Sequence, residues 1–320
     1  MEYASLGRTG LKVSRLCLGT MNFGARVTEP DSFAIMDRAL ALGVNFFDTA
    51  DGYGGKMGEG ITEQIIGRWL VQGGGRREQV VLATKVHGRM GNGPNDRRLS
   101  AYHIRRACDE SLRRLQTDHI DLYQMHHIDR ETPWEEIWQA MEVLVEQGKV
   151  IYVGSSNFAG WHIGQAQQAA ASRHLMGLVS EQPLYNLRDR TVELEILPAC
   201  RGYGLGVLPW GPLAGGMLGG AFGKQKVGRR AEAQKNIKKY SKKLKAYEAL
   251  CAELGEQPAD VAQAWLLANP IVTAPIIGPR TSTQLDGLMT SLDVQLSDET
   301  VRKLDEIFPG FKPSPEGFAW

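Results

Sequence analysis

Residues 80–125, VVLATKVHGRMGNGPNDRRLSAYHIRRACDESLRRLQTDHIDLYQM, decide the fold class. Two short apolar runs, VVLATK (80–85) and IDLYQM (120–125), enclose a longer segment with the periodicity of a helix. After Ser100, that periodicity places Ile104, Cys108 and Leu112 on one face, with arginine and glutamate on the other. A strand, a helix and a second strand in this order form the βαβ unit of a parallel sheet.

Six further apolar runs extend this pattern over the rest of the chain. They are LCLGT (16–20), VNFFD (44–48), VIYVGS (150–155), LVSEQ (178–182), GVLPW (206–210) and VTAPII (272–277). A segment able to form a helix follows each of them, so the sequence predicts eight parallel strands. Eight strands favour a closed barrel over an open doubly wound sheet, which has about six. We therefore predict an α/β fold, a (β/α)8 TIM barrel.

The two ends of the chain lie outside the repeating pattern. The segment YASLGRTGLKVS (3–14) predicts a β-hairpin with its turn at Gly7 to Gly10, placed to close the bottom of the barrel. The C-terminal tail, FPGFKPSPEGFAW (308–320), either closes a pocket with Phe318 and Trp320 or packs on the outside of the barrel. No boundary rich in Pro, Gly and Ser divides the chain, so we predict one domain over residues 1–320.

Composition and charge exclude several classes of protein. A chain of 320 residues that is 42% hydrophobic and 23% charged is neither a disordered tail nor a fibre. A net charge of +1 argues against a surface devoted to a polyanion. The four cysteines form no CxxC, which favours a reducing compartment over a disulfide framework or a cysteine-rich zinc site. With no signal-like N-terminus and no apolar run of about 18 residues, a cytoplasmic protein without a membrane partner is expected.

One segment departs from the even charge balance. Residues 224–245 contain ten Lys or Arg and a single acidic residue, Glu232. Such a segment is either a solvated, lysine-rich face or a lid that closes over a ligand carrying several phosphates.

Four polar residues stand at or just after predicted strand ends, where the working residues of a parallel barrel lie. They are Asp48, Tyr53, Lys85 and His126. A buried Lys85 needs a carboxylate nearby, and Asp48 on the adjacent strand supplies one. An ammonium next to Tyr53 would lower the phenol pKa from its ordinary value of about 10, and His126 would orient a carbonyl oxygen. The alternative is a purely structural Asp48–Lys85 pair.

Other chemistries find less support. Because neighbouring residues in a strand face opposite sides, we expect His127 to point away from the pocket that His126 faces. A metal hydrolase would draw on Asp48, Asp51, His126 and Asp129, but these residues form no compact ligand motif, and we predict no metal site. The sequence contains neither GxxxxGK[ST] nor GxGxxG after a strand, so a kinase or a Rossmann dehydrogenase is unsupported.

At these residues the chain resembles the aldo-keto reductases, and the resemblance covers nearly its full length. The matching motifs are GRTGLKVSRLCLGT (7–20), FFDTADGYG (46–54), GITEQIIGRWL (60–70), ATK (83–85), DHIDLYQMHHID (118–129), GKVIYVGSSNF (148–158), EQPLYNL (181–187), LPWGPLAGG (208–216) and APIIGPRTSTQL (274–285). The resemblance implies NADPH-dependent reduction of an aldehyde or ketone. Tyr53 would be the general acid, tuned by Lys85 and Asp48, while His126 aligns the oxygen.

The resemblance also implies where the cofactor binds. Ser156, Asn157 and Gln182 would hold the nicotinamide carboxamide, and Trp210 would stack on its ring, where the family usually has tyrosine. The pyrophosphate loop would contain Gly211, Leu213 and Gly215. The adenosine phosphate would lie at the residues Gly278, Arg280, Thr281 and Gln284. Arg280 suits a 2'-phosphate, which favours NADPH over NADH. Gly287 and Leu288 depart from the Glu-Asn pair that relatives often place at the adenine.

The resemblance leaves alternatives open for the role of the chain. The substrate is expected to be a small-molecule carbonyl substrate: either a nucleotide-linked keto-deoxysugar, or a small aldehyde or ketone. Some relatives are nucleotide-sensing barrels that partner membrane channels, although all four catalytic positions are filled here. Nucleic-acid binding through residues 224–245 is not expected, since only Tyr240 and Tyr247 offer stacking surfaces. A homo-oligomer remains an open alternative.

Overall fold

The computed structural model describes residues 1–55, 57–222 and 234–319. Residues 224–233 of the basic segment and Trp320 of the tail therefore lie outside the described residues.

The chain opens with a hairpin of two antiparallel strands, β1 (Tyr3–Ser5) and β2 (Lys12–Ser14). Leu6 and Val13 are fully buried in an apolar cluster that also contains Phe46, Leu122 and Val179 of the main sheet. Arg8 N donates to Gly204 O at 2.8 Å, just before the strand that begins at Gly206. The predicted hairpin is confirmed, and it covers the end of the sheet at which the strands begin.

Eight parallel strands form the main sheet. They are β3 (Cys17–Gly19), β4 (Phe46–Asp48), β5 (Val81–Val86), β6 (Ile120–Met125), β7 (Val150–Ser156), β8 (Leu178–Gln182), β9 (Gly206–Val207) and β10 (Ile276–Ile277). The order is β10-β3-β4-β5-β6-β7-β8-β9, so strands β3 to β9 follow chain order. All eight predicted runs form strands.

The two edges of this sheet come together. Val207 of β9 forms a parallel bridge with Val272, and Thr273 N donates to Val207 O at 2.9 Å. Ile276 N of β10 then donates to Pro209 O at 2.8 Å. The α/β fold with a curled, eight-stranded parallel sheet is consistent with the predicted (β/α)8 architecture.

Helices connect the strands and cover the outer face of the sheet. They are α1 (Glu29–Ala41), α2 (Ile61–Leu70), α3 (Ala101–Leu115), α4 (Trp134–Glu146), α5 (Gly160–Ala171), α6 (Ile196–Tyr203), α7 (Gln234–Lys239), α8 (Ser241–Leu254), α9 (Pro258–Ala268), α10 (Ser282–Met289) and α11 (Asp298–Ile307). Short 3-10 turns occur at Thr191–Glu193, Ala214–Gly219 and Thr290–Leu292. No helix within the described ranges is long and apolar enough to span a bilayer.

The described part of the C-terminal tail contacts the segment that follows β8. Phe311 N donates to Glu193 Oε2 at 2.9 Å, and Ser314 N donates to Leu194 O at 2.8 Å. Phe318 is 75% exposed. The described part of the tail thus packs beside the 3-10 turn that follows β8.

Candidate active site

A cleft of about 800 Å3 lies at the edge of the sheet where the strands end. The lining residues come from loops after several strands: Asp48, Tyr53, His126, His127, Ser156, Asn157, Gln182, Trp210, Gly211, Leu213, Gly215, Gly278, Arg280 and Gln284 are among them. Asp48, Ser156 and Gln182 are the last residues of their strands. Thirteen of the fifteen site residues predicted from the sequence line this one cleft. Of the other two, Lys85 lies directly beneath it and Thr281 is the N-cap residue of α10.

Lys85 is the centre of the buried polar group under the cleft. Its side chain is fully buried, and Nζ donates to Asp48 Oδ2 at 2.6 Å and to Thr49 O at 2.8 Å. Tyr53 Oη lies 3.2 Å from the same Nζ. Burial alone lowers the pKa of the Lys85 ammonium, but the charges of Asp48 and Tyr53 outweigh burial and raise this pKa above its ordinary value. Lys85 is therefore a permanent cation next to the phenol.

The second oxygen of Asp48 is held by two amides. Gln124 Nε2 donates to Asp48 Oδ1 at 3.0 Å, and Gln182 Nε2 donates to it at 2.8 Å. The two amides also bond each other, Gln182 Nε2 to Gln124 Oε1 at 3.1 Å. Gln124 was not among the site residues predicted from the sequence. Its signal was its place near the end of the predicted strand 120–125, beside the strand of Lys85, with which Gln124 is paired in register.

His126 is a neutral imidazole beside Tyr53. The two rings meet edge to face with their centroids 5.8 Å apart. Burial, followed by the Lys85 charge and the neighbouring His127 and His87, lowers the pKa of His126 to about 2. A neutral imidazole keeps one N–H donor, which can hold a carbonyl oxygen.

The predicted orientation of His127 is wrong. His127 stacks on His126, with ring centroids 4.9 Å apart and planes 4° from parallel, and both residues line the cleft. Strand β6 ends at Met125, so the alternation of side chains in a strand does not extend to residues 126 and 127. His87 adds a third imidazole, with its ring 5.4 Å from that of His127.

Asn157 ties together three of the loops at the cleft. Its Nδ2 donates to His126 O at 3.1 Å and to Ser156 Oγ at 3.0 Å, while its Oδ1 accepts from Trp210 Nε1 at 3.0 Å. Asn157 adopts a left-handed conformation with φ of 60°, which asparagine tolerates better than most residues. Ser156 Oγ donates to Gln182 O at 2.8 Å. Trp210, 38% exposed, is held in place at the cleft by these contacts.

The opposite end of the cleft suits a phosphorylated ligand. Gly211 and Gly215 have φ of 66° and 69°, a conformation that favours glycine. Thr281 caps α10, its Oγ1 accepting from Gln284 N at 3.1 Å, and Arg280 N donates to Gln284 Oε1 at 2.8 Å. Within the described part of the chain, the Arg280 guanidinium makes no ion pair or hydrogen bond. A helix N-terminus beside a free arginine attracts anions.

The geometry of the described residues does not support the metal-hydrolase alternative. Among the residues that the structure describes, no group of three or more His, Cys, Asp or Glu side chains could hold a metal ion. Asp129 instead accepts hydrogen bonds from Thr132 Oγ1 at 2.8 Å and Leu99 N at 3.2 Å.

A buried Asp–Lys–Tyr group thus lies under a long cleft at the edge where the parallel strands end. The sequence profile of the aldo/keto reductase family matches residues 15–308. The chain belongs to this family, which confirms the resemblance drawn from the motifs.

Several known proteins are similar to the chain over almost its whole length. An uncharacterized oxidoreductase, YrpG, of Bacillus subtilis is 56% identical over the full length of both chains. A probable voltage-gated potassium channel subunit beta of Oryza sativa is 36% identical over 96% of each chain. The versiconal hemiacetal acetate reductase of Aspergillus parasiticus is 33% identical, also over 96% of each chain.

Proposed function

We propose that the protein reduces an aldehyde or a ketone to the alcohol with NADPH, and that Tyr53 is the general acid. The observation that carries this proposal is the distance of 3.2 Å between Tyr53 Oη and Lys85 Nζ, at the floor of a cleft large enough for a dinucleotide. A phenol gives up its proton more readily when a fixed ammonium stabilises the phenolate.

The cleft fits the dinucleotide at both ends. Ser156, Asn157 and Gln182 offer hydroxyl and amide groups for a carboxamide, and the Trp210 ring offers a stacking surface. The left-handed Gly211 and Gly215, with Leu213 between them, suit a pyrophosphate. Gly278, Arg280 and Gln284 suit the adenosine phosphate, and the unpaired guanidinium favours NADPH over NADH.

The chemistry divides between the cofactor and the side chains of the protein. The dinucleotide supplies the hydride when it is bound. Tyr53 Oη donates its proton to the carbonyl oxygen as negative charge develops there. Lys85 stabilises the resulting phenolate, and Asp48 keeps the ammonium charged and in place. The neutral His126 holds the carbonyl oxygen through its N–H.

A turnover assay tests this function. Purified protein with NADPH and a saturating carbonyl compound should oxidise NADPH at a rate on the order of 1 to 10 per second. Binding of NADPH without turnover of any aldehyde, ketone or keto-sugar would contradict the proposal.

The same assay distinguishes the enzyme from a second candidate function, that of a nucleotide-binding regulatory barrel. The 36% identity to the probable potassium channel subunit of Oryza sativa supports this candidate. The complete group of Asp48, Tyr53, Lys85 and His126 favours the enzyme, because a binding module needs no general acid.

The substrate is either a nucleotide-linked keto-deoxysugar or a small carbonyl compound. The relative from Aspergillus parasiticus is named for the reduction of versiconal hemiacetal acetate, a name that contains no nucleotide sugar, which supports the second class. Comparing kcat/KM for a dTDP-linked ketosugar and a simple aromatic aldehyde decides between the classes. A clear preference for the aldehyde rejects the sugar nucleotide.

A further inference from the structure

Glu181 is a buried carboxylate directly behind the cleft, and the proposed reduction does not use it. It precedes Gln182, the last residue of β8, which lines the cleft. Neighbouring residues in a strand face opposite sides, so the Glu181 side chain points away from the cleft, toward the helices. There it lies near α6, where burial, followed by the charge of Glu181, raises the pKa of the Cys200 thiol. The side chain is 0% exposed, and a carboxylate in such a place needs hydrogen-bond donors.

The donors belong to the end of β7 and to the turn after it. Glu181 Oε2 accepts from Ser155 Oγ at 2.5 Å, and Oε1 accepts from Phe158 N at 3.1 Å. Burial raises the pKa of Glu181 to about 7, although these bonds and one from Asn157 N lower it. Ser155 and Phe158 flank the pair of Ser156 and Asn157. A single side chain therefore holds the turn on both sides of that pair.

Asn157 joins this turn to the rest of the cleft. Its Nδ2 donates to His126 O at 3.1 Å, and its Oδ1 accepts from Trp210 Nε1 at 3.0 Å. The backbone of Asn157 has φ of 60°, and a left-handed conformation at a residue other than glycine persists only where its surroundings fix it. The N–H of Phe158, directly after Asn157, is bonded to Glu181. The carboxylate thus helps to fix this backbone conformation.

We propose that Glu181 is a positioning residue for the nicotinamide end of the cleft. Its carboxylate holds Ser155 and Phe158, which fixes the turn between them. The turn places the Asn157 side chain, and Asn157 holds the ring of Trp210. This inference rests on the proposed use of a nicotinamide dinucleotide. It predicts a defect confined to one end of the cleft, since none of these bonds involves the start of α10, where the adenosine phosphate would lie.

Two ligands separate the nicotinamide end from the rest of the cleft. NADPH would occupy the whole cleft, whereas its fragment adenosine 2',5'-bisphosphate would occupy only the end at Arg280. Calorimetry measures both dissociation constants for the unmodified protein and for Glu181→Leu, in which both acceptor oxygens are lost. We expect the variant to bind NADPH roughly 10-fold more weakly and to bind the fragment within about 2-fold of the affinity of the unmodified protein.

The pattern of the two affinities decides the role of Glu181. An unchanged affinity for NADPH would overturn the proposal, and so would an equal loss of affinity for both ligands, because an equal loss indicates a general effect on the structure. If the unmodified protein bound neither ligand, the proposed function would fail instead. Ser155→Ala removes one of the two side-chain and backbone donors with little change in volume. It is judged by the same criteria, and it replaces Glu181→Leu if that variant does not fold.

Glu181→Gln separates the loss of an acceptor from replacement of the residue as such. Its Oε1 can still accept from Phe158 N, and Ser155 Oγ retains the carbonyl of Ser180, 3.4 Å away, as an acceptor. NADPH should therefore bind to Glu181→Gln within about 2-fold of its affinity for the unmodified protein. Binding as weak as that of Glu181→Leu would contradict a role that depends on the accepted hydrogen bonds.

Single-turnover reduction at saturating NADPH and carbonyl compound provides a second readout. The rate should be roughly 10-fold lower in Glu181→Leu, because the reacting carbons are less well aligned, and nearly unchanged in Glu181→Gln. A normal rate in Glu181→Leu under these conditions would overturn the positioning role.

Discussion

A fully buried ammonium requires a compensating charge, and Asp48 supplies it to Lys85, while the carbonyl of Thr49 accepts a second hydrogen bond. The buried carboxylate in turn receives two amide donors, from Gln124 and Gln182. Lys85 Nζ and both carboxylate oxygens of Asp48 are therefore held before any ligand arrives. Such preorganisation is what allows a phenol 3.2 Å from the ammonium to act without rearrangement.

The low pKa of His126 predicts how stability depends on pH. The folded-state pKa is about 2 and the ordinary value is 6.5, so the unfolded chain binds a proton more readily than the folded protein. Stability should then be complete above pH 6.5 and fall as pH decreases from 6.5 toward 2. The contribution of His126 approaches about 1.4 kcal/mol per pH unit.

Urea unfolding at pH 7, 6, 5 and 4 measures this contribution. His126→Asn should lose the part of the slope that comes from His126, while the remaining slope from His87 and His127, whose pKa values are also lowered, persists. The control is His174→Asn, which removes an exposed histidine and should leave the slope unchanged. Identical slopes for His126→Asn and the unmodified protein would contradict the assignment.

Individual residues differed in how well the sequence predicted them. Asp48, Tyr53, Lys85 and His126 follow from strand ends, because the apolar runs mark those ends. The strand pattern could not predict that the His127 side chain lines the cleft, because this orientation depends on β6 ending at Met125.

The start and the buried face of a single helix can be predicted from its local sequence, and α3 is the clearest case. Ser100 precedes the helix, and its Oγ accepts from His103 N at 3.2 Å. The predicted apolar face of Ile104, Cys108 and Leu112 is buried. Strands β9 and β10 are shorter than predicted, because Pro209 and Pro275 have no N–H to continue the ladder.

The N-cap residue of α3, Ser100, leads to a prediction about the free energy of unfolding. Ser100→Ala should lower the free energy of unfolding by about 1 kcal/mol, because His103 N loses its side-chain acceptor. Ser100→Asp retains an acceptor and should lie close to the unmodified protein. Denaturant titration of the three proteins provides the comparison. If Ser100→Ala unfolds at the same midpoint and slope as the unmodified chain, the cap contributes nothing.

At the scale of the whole molecule, the hairpin and the two edges of the sheet complete the architecture. The eight apolar runs predict the number and the direction of the strands. They do not predict the pairing of Val207 with Val272, because this contact joins residues far apart in the sequence and depends on the curvature of the entire sheet. The hairpin was predictable from its turn residues, whereas the burial of Leu6 and Val13 requires the assembled sheet.

Gly7 tests the junction between the hairpin and the sheet. It has φ of 55°, and a Cβ there would clash with Val179 O and lie 2.7 Å from both Gly204 O and Gly206 N. Gly7→Ala should therefore reduce the free energy of unfolding by at least about 2 kcal/mol. Gly10, in the same turn, has open space around it, and Gly10→Ala should change stability by less than about 0.5 kcal/mol. Equal effects of the two substitutions would contradict the close junction.

The proton donated by Tyr53 is the central claim, and one pair of measurements on Tyr53→Phe tests it most directly. NADPH binding and single-turnover reduction of a carbonyl compound are measured on the same sample. The account predicts binding close to that of the unmodified protein and a reduction rate lower by roughly three orders of magnitude or more. Near-normal reduction by Tyr53→Phe, or loss of binding and reduction together, would contradict it.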